Sequence, residues 1–216
     1  AYEPSIIINS GTKQYDWAST SGISELRSGS IEATTSGTIT GNYLTKVHDV
    51  VVTSVIADRT WVYQGFSAKI NVTVQNKGDF NETVTVTLCY NITDNKIVGT
   101  QNINLLAKES KALSFVWNTF GVAYCHNYTL TAIATIPSDI TPADNTLTEG
   151  KIKVRILGDI TGDGKVDIKD IGMAGKAFGT YPGHPSWNPE ADINQDGRVD
   201  IRDLVLIAKN FGRIYG

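Results

Sequence analysis

A twelve-residue acidic pattern occurs twice near the C-terminus, 33 positions apart, and it constrains this chain more than any other feature. The first copy reads Asp159-Ile-Thr161-Gly-Asp163-Gly164-Lys165-Val-Asp167-Ile-Lys-Asp170. The second reads Asp192-Ile-Asn194-Gln-Asp196-Gly197-Arg198-Val-Asp200-Ile-Arg-Asp203. A hard cation such as calcium takes six to eight oxygens, and a twelve-residue loop offers them from positions 1, 3, 5, 7, 9 and 12. Aspartate fills positions 1, 5, 9 and 12 of both copies, and Thr161 and Asn194 fill position 3. Lys165 and Arg198 stand at position 7, where the backbone carbonyl is the ligand and any residue type serves. Gly164 and Gly197 occupy position 6, where the sharp turn calls for glycine. Two bound Ca2+ ions are expected, one per loop. Both loops end in Asp where the usual pattern has Glu, so each must close more tightly around its ion. A threonine hydroxyl is a poorer ligand than an amide oxygen, so the first site is expected to be the weaker.

Each loop leads into a helical pattern. Ile171, Ala174 and Phe178 recur at helical spacing after the first, and Leu204, Ile207 and Phe211 after the second. Gly179 and Gly212 stand where a helix-ending glycine belongs. Between 158–179 and 191–212, 11 of 22 positions are identical. The unit is a duplicated loop and helix, lacking the entering helix of a full EF-hand. It resembles the type I dockerin module over about residues 157–214. That resemblance implies two calcium loops and helices around a pseudo-twofold axis, docking onto a cohesin domain or a related surface partner. In dockerins the contacts centre on loop positions 10 and 11, often a Ser-Thr pair; here these are Ile168-Lys169 and Ile201-Arg202. The segment between the repeats, 180–191, carries Pro182, Pro185 and Pro189, which forbid regular structure, and Trp187 is expected to pack back onto the helices.

Residues 48–156 read as an all-β domain. Apolar and polar residues alternate in 70–74, 84–88, 113–117, 128–132 and 152–156. Turn signals separate them, at Asn76-Lys-Gly78-Asp79, Thr93-Asp94-Asn95 and Pro142-Ala-Asp144-Asn145. Roughly seven short strands in about 100 residues predict an immunoglobulin-like sandwich. The segment resembles the CARDB family of adhesion-related Ig-like domains from prokaryotic surface proteins. The matching features are the Val74-Gln-Asn76-Lys-Gly78 turn, Phe115-Val-Trp117, and Asp144-Asn145-Thr146 before the last strand. The expected fold class is therefore mainly β, with an N-terminal β-rich extension and a small α-helical calcium module at the C-terminus.

Export is expected on several grounds. The chain opens Ala1-Tyr2-Glu3, as a mature protein does once its signal is removed. Four Asn-X-Thr sequons, at Asn71, Asn81, Asn91 and Asn127, are candidate glycosylation sites. Cys89 and Cys125 are the only cysteines, an even count that favours a disulfide in an exported chain. By strand parity both lie on the outer face, which makes the expected bridge a surface staple. The segment 1–47 is rich in Ser, Thr and Gly, with an apolar Ile6-Ile7-Ile8 run and room for a helix only near Ile23–Arg27. It either packs on its own β-domain or lends Ser5–Asn9 as a strand to a neighbouring subunit.

The net charge is −3, and eight of the 22 acidic residues lie in the two loops. Without metal these carboxylates repel one another, so this module's folding is expected to depend on calcium. No Lys/Arg cluster marks a nucleic-acid surface, and no apolar run is long enough to span a membrane. His48, His126 and His184 stand far apart, and no nucleophile–base pair or phosphate loop is present. A non-enzymatic extracellular protein is expected, in one of two roles. In the first it is a subunit of a surface filament or layer, self-assembling through its calcium module or N-terminal strand. In the second it is an adaptor that docks on a cohesin-type receptor while the β-domain binds a polysaccharide or cell surface. Only Leu157-Gly158 separates the last predicted strand from Asp159, which favours a rigid joint and hence the structural role.

Overall fold

The structure is a computed structural model that describes residues 46–91 and 96–215 and, in backbone only, the strand segments 5–8, 11–15, 29–33 and 37–40. Among the described residues twelve strands and two helices follow in chain order. In the N-terminal segment β1 (Ser5–Ile8) pairs antiparallel with β4 (Gly37–Thr40), and β2 (Gly11–Tyr15) with β3 (Gly29–Ala33). The apolar run Ile6–Ile8 is thus paired within its own segment, opposite Ile39, Thr38 and Gly37. The helix anticipated near Ile23–Arg27, the opening residues 1–4 and the turn 93–95 lie outside the described residues.

The β-domain contributes β5 (Val50–Ala57), β6 (Trp61–Tyr63), β7 (Ser67–Asn76), β8 (Glu82–Asn91), β9 (Lys96–Leu105), β10 (Ser110–Asn118), β11 (His126–Thr135) and β12 (Thr146–Arg155). They form a three-stranded sheet in the order β10-β7-β5 and a five-stranded sheet in the order β6-β12-β11-β8-β9. Pairing is antiparallel except for the short β6, which runs parallel to β12. The period-2 pattern explains the layering. In β7 Ala68, Ile70, Val72 and Val74 are buried while Lys69 and Asn71 are exposed. Val84, Val86 and Leu88 of β8 do the same from the other sheet. One apolar core joins the two inner faces, with Ile70, Leu88, Leu130 and Ile152 fully buried. Trp117, Tyr90 and Tyr128 meet there with ring centroids 4.6–5.4 Å apart.

The expected disulfide is not formed: Cys89 and Cys125 are both free thiols. Cys89 pairs with Thr131 on β11, whereas Cys125 precedes His126, the first residue of that strand. Six residue steps along the chain, from 125 to 131, at about 3.3 Å each set them about 20 Å apart, far beyond the separation of about 7 Å that a bridge tolerates. Parity places Cys89 away from the inner face, on the side of Thr131, yet it is only 4% exposed. Cys125 has φ +61° and, although its amide still donates to Val154 O of β12, its side chain turns to pack at the base of the C-terminal module. Strand parity therefore misplaced it. Burial pushes both thiols up, and the charge of Asp159 adds to this at Cys125. Thiol titration in concentrated guanidinium without reductant should find two reactive thiols per chain; none would restore the bridge.

Three of the sequon asparagines, Asn71, Asn81 and Asn127, are exposed and Asn91 is half-buried. Among the described residues no helix is long and apolar enough to cross a membrane.

Candidate calcium module

Two helices, α1 (Ile168–Ala177) and α2 (Ile201–Asn210), follow the two acidic loops and pack on each other. The repeat is structural as well as sequential. Gly179 N donates to Val199 O (2.8 Å) and Val199 N to Thr180 O (3.1 Å). At the equivalent places Gly212 N donates to Val166 O (2.8 Å) and Val166 N to Arg213 O (2.9 Å). The strand-like segment after each helix thus clasps the other repeat's loop, a reciprocal arrangement that needs both copies.

Position 1 and position 12 organise each loop. In the first loop Asp159 accepts from the amides of Asp163 (3.1 Å) and Gly164 (3.0 Å). Asp170 accepts from the Thr161 amide (3.0 Å) and the Asp167 amide (2.8 Å). In the second, Asp192 accepts from Asp196 N (3.1 Å) and Gly197 N (2.9 Å), and Asp203 from Asn194 N (3.1 Å) and Asp200 N (2.8 Å). Gly164 and Gly197 take φ of +88° and +86°, as position 6 requires.

The Asp at position 12 also takes part in starting the helix. Asp167 and Asp200 are the helix N-caps, and Asp170 and Asp203 close a capping box by reaching back to the cap amides. A capping box usually takes Glu or Gln at the third helical position; here the shorter aspartate makes the same bond. Position 12 therefore serves both the loop and the helix start.

The site residues are brought together within each loop, but not as a ready-made carboxylate cluster. Among the described residues no three acidic, histidine or cysteine side chains are gathered at metal-holding distance. The fit to a cation rests instead on burial and donor type. Asp159 and Asp170 are both fully buried, and the Thr161 hydroxyl lies 3.4 Å from one and 3.1 Å from the other. Lys169, the cation paired with this loop's acids, reaches only Asp163, at 3.7 Å. Burial raises the Asp159 carboxyl, and the charges of Asp170 and Asp163 raise it further against the Gly164 amide. Burial likewise raises Asp192 against the amides of Gly197 and Asp196, with Asp203 adding to it. Buried anions without a buried counter-charge, amid oxygen donors only, suit a hard divalent ion. Asp159, Thr161, Asp163, the Lys165 carbonyl, Asp167 and Asp170 would hold one such ion. Asp192, Asn194, Asp196, the Arg198 carbonyl, Asp200 and Asp203 would hold the other. The second loop carries its own cation: Arg202 meets both Asp196 and Asp200 at 2.9 Å. It must give way before both carboxylates can serve a metal, which opposes the affinity order expected from position 3 alone.

The helical pattern holds in part. Ala174 and Ile207 are fully buried, and Ile171 and Leu204 pack against the same core. Phe178 and Phe211 do not join it; they are 51% and 53% exposed. Both are C-caps with extended backbone, ψ 134° and 136°, so the helical spacing has ended before it reaches them. Trp187 packs back onto this core as expected.

The sequence did not reveal how the module is mounted. Tyr63 of β6, 1% exposed, and Ile156 after β12 belong to the same apolar cluster as Ile160, Ile193 and Ile207. Tyr63 Oη donates to Glu190 O (3.0 Å), and Lys153 Nζ to Gly162 O (3.1 Å). The Arg155 guanidinium lies over the Trp61 ring at 4.2 Å. Gly162 lies under this guanidinium at φ +73°, and a Cβ there would stand 2.8 Å from Arg155 Cζ, so the arginine would have to shift. Its counterpart in the second loop, Gln195, is exposed and carries a side chain at φ +60°. No periodicity signals these contacts, since Tyr63 sits in a three-residue strand.

Residues 157–212 match the family model of the dockerin type I domain. Dockerin type I domains bind calcium and dock onto cohesins, and the domain is a non-catalytic module type. A comparison with curated proteins finds no match. Among solved structures, the β part is similar to the CARDB domain of a Pyrococcus furiosus protein crystallised in complex with di-metal ions. That match is 20% identical and covers 53% of this chain and 94% of the other, with TM-score 0.43. A solution NMR structure of that domain is 20% identical, covers 51% and 97%, and has TM-score 0.42. A β-glucosidase of Erythrobacter marinus is 15% identical over 50% of this chain but only 15% of its own length, with TM-score 0.40.

Proposed function

We propose that this chain is a non-enzymatic structural or adhesion protein of the cell exterior, a subunit of a surface filament or layer. In this reading residues 1–47 form an assembly segment, 48–156 an Ig-like sandwich, and 157–216 a dockerin-like module holding two calcium ions. The observation that carries it is the core shared across the junction, from Tyr63 and Ile156 to Ile193 and Ile207. A plug meant to swing on a tether has no use for a buried joint, whereas a repeating assembly transmits its geometry through one. The paired β1–β4 and β2–β3 segments agree, because two-stranded sheets are marginal alone and gain stability against a neighbour. The exposed Asn71, Asn81 and Asn127 are open to glycan attachment. Electron microscopy in millimolar calcium and in EDTA tests this reading. Ordered polymers that fall apart in EDTA are expected; monomers under both conditions remove it.

A second reading, as a cohesin-docking adaptor, has its own support. Ile168 and Ile201, at position 10 of the two loops, are 69% and 61% exposed at equivalent places. Each repeat thus offers one apolar contact of the same kind. Binding to an immobilised cohesin that is lost on Ile168→Asp and Ile201→Asp would move the weight to this reading.

A further inference from the structure

The end of the β-domain remote from the acidic loops holds a second concentration of buried oxygen atoms, three of them without a hydrogen-bond donor. Asp144 and Asn145 immediately precede β12, whose last residue leads into the first calcium loop, so about 30 Å of strand lies between. Asp49 precedes β5 on the facing sheet. Hydrogen bonds fix it against the 139–145 loop: Val50 N donates to Asp139 Oδ2 (2.9 Å), Ile140 N to His48 O (3.0 Å) and Val52 N to Asp144 O (3.2 Å). The Asp49 carbonyl accepts from Lys77 N (2.8 Å) and Gly78 N (2.9 Å). Lys77 Nζ then crosses to Asp144 Oδ2 (3.0 Å).

Within this frame Asp49 Oδ1, Asp144 Oδ1 and Asn145 Oδ1 are sealed from solvent and have no hydrogen-bond donor. Asn145 as a whole is only 7% exposed. Asp139 is different, because both of its oxygens are taken by the amides of Val50 (2.9 Å) and Thr141 (2.7 Å). It adds negative charge without offering a free ligand. The cations near the corner are Lys77, half-exposed and bonded to the other oxygen of Asp144, and Lys108, which pairs with Asp79. Burial, with the charges of Asp144 and Asp139, pushes the Asp49 carboxyl up even though Lys77 and Lys108 oppose it. A buried acceptor without a donor is costly, and a carboxylate oxygen more so than an amide. A water molecule can satisfy an amide oxygen, but it does not neutralise the Asp49 carboxylate, and Lys77 reaches only the outer oxygen of Asp144.

We propose that Asp49, Asp144 and Asn145 form a third cation site, for calcium or a similarly hard divalent ion, that ties the start of β5 to the start of β12. Two carboxylate oxygens and one carboxamide oxygen from fixed backbone are the donors such an ion selects. The site is independent of the dockerin loops, and its occupancy locks the far corner of the β-domain.

Equilibrium dialysis with Ca2+ on the full chain tests it, with wild type, Asp49→Asn and Asp144→Asn compared. Three ions per chain are expected for wild type and two for each variant. The melting temperature of each variant should also respond less to calcium than that of wild type. Two ions in all three proteins, with Asp49→Asn raising the melting temperature equally in calcium and EDTA, would overturn the proposal: the corner is then only a site of charge repulsion. One ion in wild type and none in the variants would keep this site while removing the loops as binders. Asn145→Asp guards against a folding failure. It should tighten calcium binding while destabilising the chain in EDTA, and a loss of stability in both conditions counts against the site.

Discussion

The Asp192→Ala, Asp203→Ala double variant is expected to lose the helical circular dichroism of its C-terminal module even in millimolar calcium. Two effects act together. Asp203 closes the capping box of α2 by accepting the Asp200 amide, and it also accepts the Asn194 amide. Losing such a cap costs about 1 kcal/mol. Asp192 holds the loop through the amides of Asp196 and Gly197. A site held at a thousand times its dissociation constant contributes about 4 kcal/mol by mass action, so loss of the ion outweighs loss of the cap. The damage should cross to the first repeat, because Val199 and Val166 are clasped by each other's flanking segments. Assembly should fail with it. Normal assembly of the double variant, with its helical signal intact, would remove calcium from the mechanism.

Tyr63→Ala should separate the two modules. The side chain is 1% exposed and stands in the core that the β-domain lends to the calcium module. Truncating a buried aromatic costs about 3–5 kcal/mol, and here it also removes the donor to Glu190 O. Ile156 and the Lys153–Gly162 bond remain on that side, but Tyr63 is the large side chain that β6 buries fully in the shared core. The expected result is two unfolding transitions where wild type shows one, with the C-terminal transition the lower. Tyr63→Phe keeps the packing and loses only the hydrogen bond, worth about 1 kcal/mol, so it should leave the transitions joined. If Tyr63→Ala melts like wild type, the shared core does not couple the modules.

Much of this was legible in the sequence because the relevant constraints are local. The two acidic loops repeat their oxygen-bearing residues at fixed offsets, and both take the same turn at the position-6 glycines, Gly164 and Gly197. The strands over 70–74, 84–88, 113–117 and 128–132 alternate because each has one face on the core, and each falls within an observed strand. What escaped notice lacks such a signal. The edge strand β9 is mostly polar with a half-buried, uneven pattern, so its sequence carries no clean period. Strand β5 opens with three consecutive buried valines, Val50 to Val52, beside a register shift between Val52 and Ser54. Cys125 and Tyr63 owe their surroundings to a module that lies far along the chain. Parity and helical spacing fail at element ends, as they did for Cys125, Phe178 and Phe211.

The central claim is that the calcium module and the β-domain are one thermodynamic unit through the core around Tyr63, Ile156 and Ile207. Scanning calorimetry of the full chain in millimolar calcium and in EDTA tests it most directly. A single endotherm is expected in calcium. In EDTA, the β-domain should melt at a lower temperature, since the apolar surface it shares with the module is uncovered. A β-domain endotherm at the same temperature in both buffers, with only a small calcium-dependent peak moving beside it, would contradict that claim.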